Sequence, residues 1–462
     1  METNYDLVIL GGGAAAFSCA LKAAEMDVKI AMIEKGVIGG TCVNVGCVPT
    51  KNLLDVGEKI HECADLSGNG KLIDFKKIIE SKNDIVLSQR NAKYIDVLDS
   101  LPNVEYIKGH AKFKSNNEIE INGNIISAKH VLIATGSSSM VPPIQGINNV
   151  DYLTNIDALD LDAKPESMII IGGRVLGLEF AQMFSRFGTK VTVLQRNKRL
   201  IPNEEPEISD KLRQYLEEEG ITIHTGVEIK SVRKQGNETM VLFSIDGNEQ
   251  EASAEKILLA TGRTANTKDL GLENTEVRLS SDGSVIVDEQ MRTNVSHVYA
   301  AGDVIGEPML ETVAAKEGNI VASNAFFETH KKMDFGVVPH AIFTSPQVAS
   351  VGITERESME KFASCSCKTL LMEDVPKALV VGKTKGLIKM IVHPQTQQIL
   401  GVHILSDLAA DIIHEATLAV KQKLTIDDII DTVHVFPTMS ESIKLVATSF
   451  RKDVKKMSCC VE

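Results

Sequence analysis

Two cysteines separated by four residues, Cys42 and Cys47 in GGTCVNVGCVPTK (39–51), carry the strongest chemical signal in the chain. Placed at the start of a helix, sulfurs at that spacing lie close enough to form a disulfide with one end exposed. The positive end of the helix and the nearby Lys51 would stabilise a thiolate there. Metal ligation alone would want two further partners, and none lies nearby in sequence. The pair therefore reads as a redox centre.

A second pair, Cys459 and Cys460, is adjacent in KDVKKMSCCVE. Neighbouring Cα atoms stand about 3.8 Å apart, closer than disulfides usually allow, so the pair is expected to stay reduced. Two thiolates on a mobile chain end suit a soft cation such as Hg(II), and Lys452, Lys455 and Lys456 favour both thiolates and anionic thiol adducts of the metal. The other four cysteines read as incidental. Cys19 and Cys63 are expected to be small apolar residues on helices, and Cys365 and Cys367 fall on one face of a strand or loop.

The elements that must position these residues are legible nearby. YDLVIL (5–10) runs into Gly11, Gly12 and Gly13, an alanine-rich helix follows to Ala24, and VKIAMIEK (28–35) reads as the next strand. Gly11 and Gly13 allow a tight turn and close approach to a pyrophosphate, Ala16 stands where the helix packs on the strand, and Glu34 is placed for a ribose diol. A copy of this βαβ unit begins at Ser167, with MIIIGG, RVLGLEFAQMFSRFG and KVTVLQR. Here Gly172 and Gly177 fit the pattern, while Arg174 replaces the middle glycine. Gln195 stands where an acidic residue would favour NADH, and Arg196, Lys198 and Arg199 follow it. Loss of the carboxylate and gain of cationic groups point to a 2′-phosphate, hence NADPH. VLIATG (131–136) and ILLATG (257–262) end one strand after each unit.

Together these features predict an α/β chain with two Rossmann-like dinucleotide-binding domains and a C-terminal α+β domain. The expected divisions are 1–147 with 266–333, 148–265, and 334–462, in keeping with about three domains for 462 residues. Helices are expected at 408–422 and 425–432. With 43% hydrophobic residues, 4% aromatic and no Trp, the core is aliphatic. A net charge of -13 argues against nucleic-acid or anionic-membrane surfaces. The N-terminus carries neither a basic stretch nor a long apolar segment, and eight cysteines form no secreted framework, so a cytoplasmic location is expected.

Over essentially its whole length the sequence resembles the FAD-containing pyridine nucleotide-disulfide oxidoreductases, class I. That resemblance implies that Cys47 makes the charge-transfer contact with the flavin, that Cys42 exchanges with substrate, and that Lys51 and Glu179 pair near flavin and nicotinamide. Gly40, Thr41, Thr135, Gly136, Gly262, Arg263 and Asp303 join the expected cofactor contacts, Asp303 toward the ribityl chain of FAD. It also implies a homodimer whose active sites borrow residues from the partner.

Disulfide-reducing members carry H-x-H-P-T-x-x-E. Here HVFPTMSE (434–441) puts Phe436 in place of the second histidine, and phenylalanine transfers no proton. His434 is the one neighbour that could compensate. Phe436, the terminal dithiol and Arg174 together resemble the mercury-reducing branch. The cycle this implies takes electrons from NADPH through FAD to Cys42 and Cys47, with Hg(II) loaded by Cys459 and Cys460 of the partner subunit and released as Hg(0). Two tyrosines of that branch fall at Thr312 and Thr438, and its metal-binding extension does not precede the flavin unit. A lipoamide dehydrogenase-like or thioredoxin reductase-like disulfide reductase, and a thiol-based metal-sequestering protein, are the competing readings.

Overall fold

Consecutive apolar residues, rather than alternating ones, mark strands covered on both faces. In the computed structural model, which describes residues 3–67, 74–327 and 329–458, the two such runs lie at the centres of two sheets, the first of seven strands with an antiparallel pair, Ala111–Phe113 and Glu118–Ile121, at one side, the second all parallel. The strand Thr3–Leu10 pairs in parallel with Ile30–Glu34, placing Leu10 opposite Ile33, and with Asn124–Ile133, placing Val8 opposite Val131. Leu7, Val8 and Ile9 are wholly buried. Val104–Lys108 extends one side of this sheet in parallel and Val298–Ala300 pairs with Asn124–Ile133.

The second sheet runs Thr222–Thr225, Lys190–Gln195, Ser167–Ile171, Lys256–Leu259, Tyr152–Leu153, all parallel. Side chains along Ser167–Ile171 alternate between two cores. Met168 and Ile170 pack with Phe180 and Phe184 of the helix Val175–Arg186, whereas Ile169 and Ile171 face Val241 and Phe243 of a three-stranded antiparallel sheet. Period-two alternation thus gives one strand two covered faces.

The last five-stranded sheet is antiparallel, in the order His340–Ile342, Gln347–Gly352, Ile399–Ser406, Leu387–Val392, Ser366–Leu371. Helices Ala409–Lys421 and Ile426–Asp431 occupy the two expected stretches. A third, Glu441–Thr448, was not anticipated, although Ile443, Val446 and Ala447 bury at helical spacing. The chain is α/β with the predicted α+β close. Cys19 is buried as expected, but Cys63 is exposed. The helix that carries it turns that face outward instead of into a core. Among the described residues no helix is long and apolar enough to cross a membrane.

Candidate active site

Cys42 lies in the short helix Gly40–Val45, and Cys47 opens the next helix, Cys47–Ser67, after a break at Gly46. Asn44 braces the segment: its amide donates to the carbonyls of Ile38 and Gly40 at 3.0 and 2.8 Å, and Arg90 Nε donates to its oxygen at 2.6 Å. The two sulfurs and a carboxylate oxygen of Glu311 all lie within 4.8 Å of one another. The Cys42 thiol donates to Glu311, and Tyr94 Oη stands 3.4 Å from the other Glu311 oxygen.

This arrangement splits the titration of the pair. A hydrogen bond from Cys42, and then the Lys51 ammonium, hold Cys47 below the ordinary thiol range. The bond to Cys47, burial and the Glu311 carboxylate push Cys42 up. The reduced pair therefore keeps its proton on Cys42 and its negative charge on Cys47. Glu311 escaped the sequence reading. Its signal was a carboxylate opening an apolar helix, Glu311–Phe326, where a helix N-terminus favours negative charge, one residue before the noted Thr312.

A cavity of about 460 Å³ leads away from the dithiol. Gly13, Gly40, Thr41, Thr135, Gly136, Arg263, Glu34 and Asp303 line it together with the two cysteines. Glu34 accepts from the N–H groups of Gly12 and Gly36 at 2.8 and 2.6 Å, which fixes its carboxylate over the turn. Ser137 Oγ donates to Asp303 at 2.6 Å and accepts from Arg263 Nε at 2.6 Å. Gly11 sits at φ +126°, and a Cβ there would come within 2.1 Å of the Ala134 carbonyl oxygen, so the turn admits only glycine. Ala16 is fully buried behind it. A cavity lined by a helix N-terminus, two fixed carboxylates and the two sulfurs fits a flavin dinucleotide.

The second nucleotide turn repeats the device. Gly172 has φ +119°, and its added Cβ would meet the Ala260 carbonyl at 2.2 Å. Gln195 fills the slot that Glu34 fills in the first unit, accepting from Gly173 N–H at 3.1 Å, but without charge. Gly177 is buried, Arg196 and Lys198 are exposed beside Gln195, and Arg199 is held by Asp210 at 3.1 Å. Gly262, at the end of the adjoining strand, receives the Met140 N–H on its carbonyl at 2.9 Å.

The two halves meet where the helices Cys47–Ser67 and Val175–Arg186 touch. Lys51 Nζ lies 2.7 Å from the buried Glu179, whose other oxygen accepts from Phe343 N–H at 2.9 Å. Farther along the same contact, Arg186 bonds Glu58. Near the C-terminus, Phe436 is exposed and His434 is engaged, by Glu415 at 2.8 Å and the Thr432 carbonyl at 3.0 Å. Those partners leave His434 no free nitrogen for substrate. Thr312 is exposed at the N-terminal turn beside Glu311, and Thr438 Oγ1 donates to the Val435 carbonyl at 2.8 Å. Cys459 and Cys460 lie outside the described residues.

The chain belongs to the pyridine nucleotide-disulphide oxidoreductases: the core model of that family matches residues 5–318 and its dimerisation domain residues 338–447. It is a flavoprotein oxidoreductase, and FAD and NADPH are the cofactors that this membership brings. It is 42% identical to the mercuric reductase of Staphylococcus aureus over 464 residues, covering 99% of this chain and 85% of that protein. Identity to the mercuric reductase of Streptomyces lividans is 40% over 470 residues, covering 99% of each. Among solved structures, the Cu(II) complex of the HOCl-induced flavoprotein disulfide reductase RclA from Escherichia coli superposes with a TM-score of 0.89 at 29% identity, covering 98% of this chain and 100% of that one.

Proposed function

We propose that the protein is an NADPH-dependent mercury(II) reductase that converts thiol-bound Hg(II) to Hg(0) at Cys42 and Cys47. The observation that carries this reading is the donor set itself: two sulfurs and the Glu311 carboxylate converge within 4.8 Å, while the histidine of the C-terminal motif, His434, is tied to Glu415. Such a site holds a soft cation well and exchanges thiol protons poorly. Identity to curated mercuric reductases along the full chain supports the same substrate.

In this reading residues 1–147 with 266–333 hold FAD, 148–265 hold NADPH, and 334–462 form the dimer contact. Glu34 and Asp303 anchor the two sugar-like chains of FAD, with Gly11, Gly13, Thr135 and Gly136 against its phosphates. Gln195 and Arg196 select the 2′-phosphate beside the Gly172 turn. FAD, when bound, supplies the two-electron relay between NADPH and the sulfurs. Lys51 keeps Cys47 ionised, Glu179 keeps Lys51 in place, and Glu311 holds the Cys42 proton until the metal displaces it. Cys459 and Cys460 of the partner subunit deliver the metal, and the balance is Hg(II) plus NADPH to Hg(0), NADP+ and a proton. The homodimer works in the cytoplasm, from which neutral mercury diffuses away.

The test is Hg(II)-dependent NADPH oxidation under excess thiol, with volatile mercury collected, for the intact chain and for a Cys459→Ala, Cys460→Ala variant. We expect the intact chain to evolve mercury and the variant to lose most of that rate. No volatile mercury from the intact chain overturns the proposal. The RclA likeness favours one other reading, a flavoprotein disulfide reductase, which would oxidise NADPH with disulfides and without mercury.

A further inference from the structure

Away from the cofactor cavity, two thiols that the reaction does not use face a carboxylate. Cys367 is the second residue of the strand Ser366–Leu371, which forms the edge of the dimerisation sheet, and Cys365 precedes that strand by one residue. Residues two apart on an extended chain share a face, and this face meets the first turn of the helix Glu355–Phe362. The two Sγ atoms and a carboxylate oxygen of Glu355 all lie within 4.8 Å of one another, and all three residues are half-buried. We propose that Cys365, Cys367 and Glu355 form a second metal site, for a thiophilic divalent cation of the Zn(II) class.

The spacing suits a single ion. With metal–sulfur bonds of about 2.3 Å and metal–oxygen bonds of about 2.1 Å, ligand atoms on one tetrahedral centre stand roughly 3.5–4 Å apart, so small side-chain rotations close the site. With three protein ligands, a water completes the tetrahedral shell. A bent, mixed sulfur and oxygen set favours Zn(II) over an ion that prefers two collinear sulfurs. On binding, the two thiol protons leave to solvent and the metal takes two thiolates and one carboxylate.

Glu355 is also held in place for this role. One of its oxygens lies 2.6 Å from Lys389 Nζ, and that ammonium is buried between Glu205 at 2.7 Å and Glu207 at 2.9 Å. Its backbone N–H donates to Glu205 at 2.6 Å. The ammonium holds one oxygen of the Glu355 carboxylate in place. It also fills the other acidic cluster nearby, Glu205, Glu207 and Glu355, where a cation of the protein's own already sits.

The test uses the full-length flavin-loaded chain carrying Cys459→Ser and Cys460→Ser, with Cys42 and Cys47 kept as their disulfide, titrated with Zn(II) against a chromophoric chelator. We expect one tightly held Zn(II), lost in Cys365→Ser, Cys367→Ser and weakened at least tenfold in Glu355→Gln. Equal Zn(II) retention in the double serine variant overturns the site. X-ray absorption at the zinc edge of the chain with Cys365 and Cys367 intact gives an answer that does not depend on the variants folding. Two sulfur neighbours support the assignment, and a shell of oxygen and nitrogen alone refutes it.

Discussion

The hydrogen bond between Cys42 and Cys47 divides the work of the two active-site sulfurs. Burial and the Glu311 carboxylate add to the rise at Cys42, while the ammonium of Lys51 promotes ionisation at Cys47. Glu311→Gln removes the opposing charge, so the pH at which Cys42 is alkylated by iodoacetamide in the reduced enzyme should fall by about one unit or more. An unchanged profile would mean that Glu311 does not control that thiol. Lys51→Met should act in the opposite sense on Cys47, raising the pH at which its thiolate absorbance appears. Cys42, Cys47 and Lys51 were legible in the sequence because one short segment holds them all. Glu311 comes from 269 residues away, and only the folded chain brings it to the sulfur. Nor could spacing reveal that His434 spends both nitrogens on Glu415 and a backbone carbonyl.

At the scale of single elements, the two strand-turn-helix units share one design, and glycine is its least replaceable part. Gly172→Ala would drive a methyl into the Ala260 carbonyl, pushing the helix Val175–Arg186 off its strand. Weaker NADPH binding with flavin content retained is the expected result of fluorescence titration. The helix Glu311–Phe326 carries a different liability in Glu317, which is 1% exposed and accepts from Gly302 N–H at 2.7 Å. Burial, with the nearby Asp303 charge, lifts its pKa from 4.5 to about 7 despite that bond. The folded state thus holds this proton more tightly than the unfolded state. The resulting stability is full below about 4.5 and disappears as pH rises through about 7. Glu317→Gln, which cannot ionise, should gain on the parent chain by up to roughly 3 kcal/mol in denaturant unfolding between pH 5 and pH 8. These glycine turns were readable from the sequence, as were the strands around them, because parallel sheets demand unbroken apolar runs. The helix Glu441–Thr448 was not, since eight residues make little more than two turns and show too short a stretch of helical spacing to stand out.

Across the whole molecule, the last antiparallel sheet is held to the second nucleotide unit by charges set into an otherwise apolar junction. Lys389, 2% exposed on the dimerisation sheet, reaches Glu205 and Glu207 at the start of the helix Pro206–Glu218 in the second nucleotide unit. Lys389→Met would leave the buried carboxylate of Glu205 uncompensated, at a cost of about 3–5 kcal/mol, and the midpoint of thermal unfolding should drop accordingly. Adding Glu205→Gln should restore part of the loss. No periodicity in the sequence singles out this lysine, which lies in the plain strand LIKMIV.

The contact between the helices Cys47–Ser67 and Val175–Arg186 is fastened twice, by Lys51 with Glu179 and by Arg186 with Glu58. Each helix spaces its two members seven residues apart, two turns or about 10 Å of rise, and the order of signs is reversed between them. A single rivet permits swivelling; two with opposite polarity behave as a keyed joint that seats in one alignment. Sliding one helix along the other would set cation against cation and anion against anion. The helix that opens with Cys47 is thereby held in one register against the helix of the second nucleotide turn, so the sulfur pair and that turn are set at a fixed offset from each other.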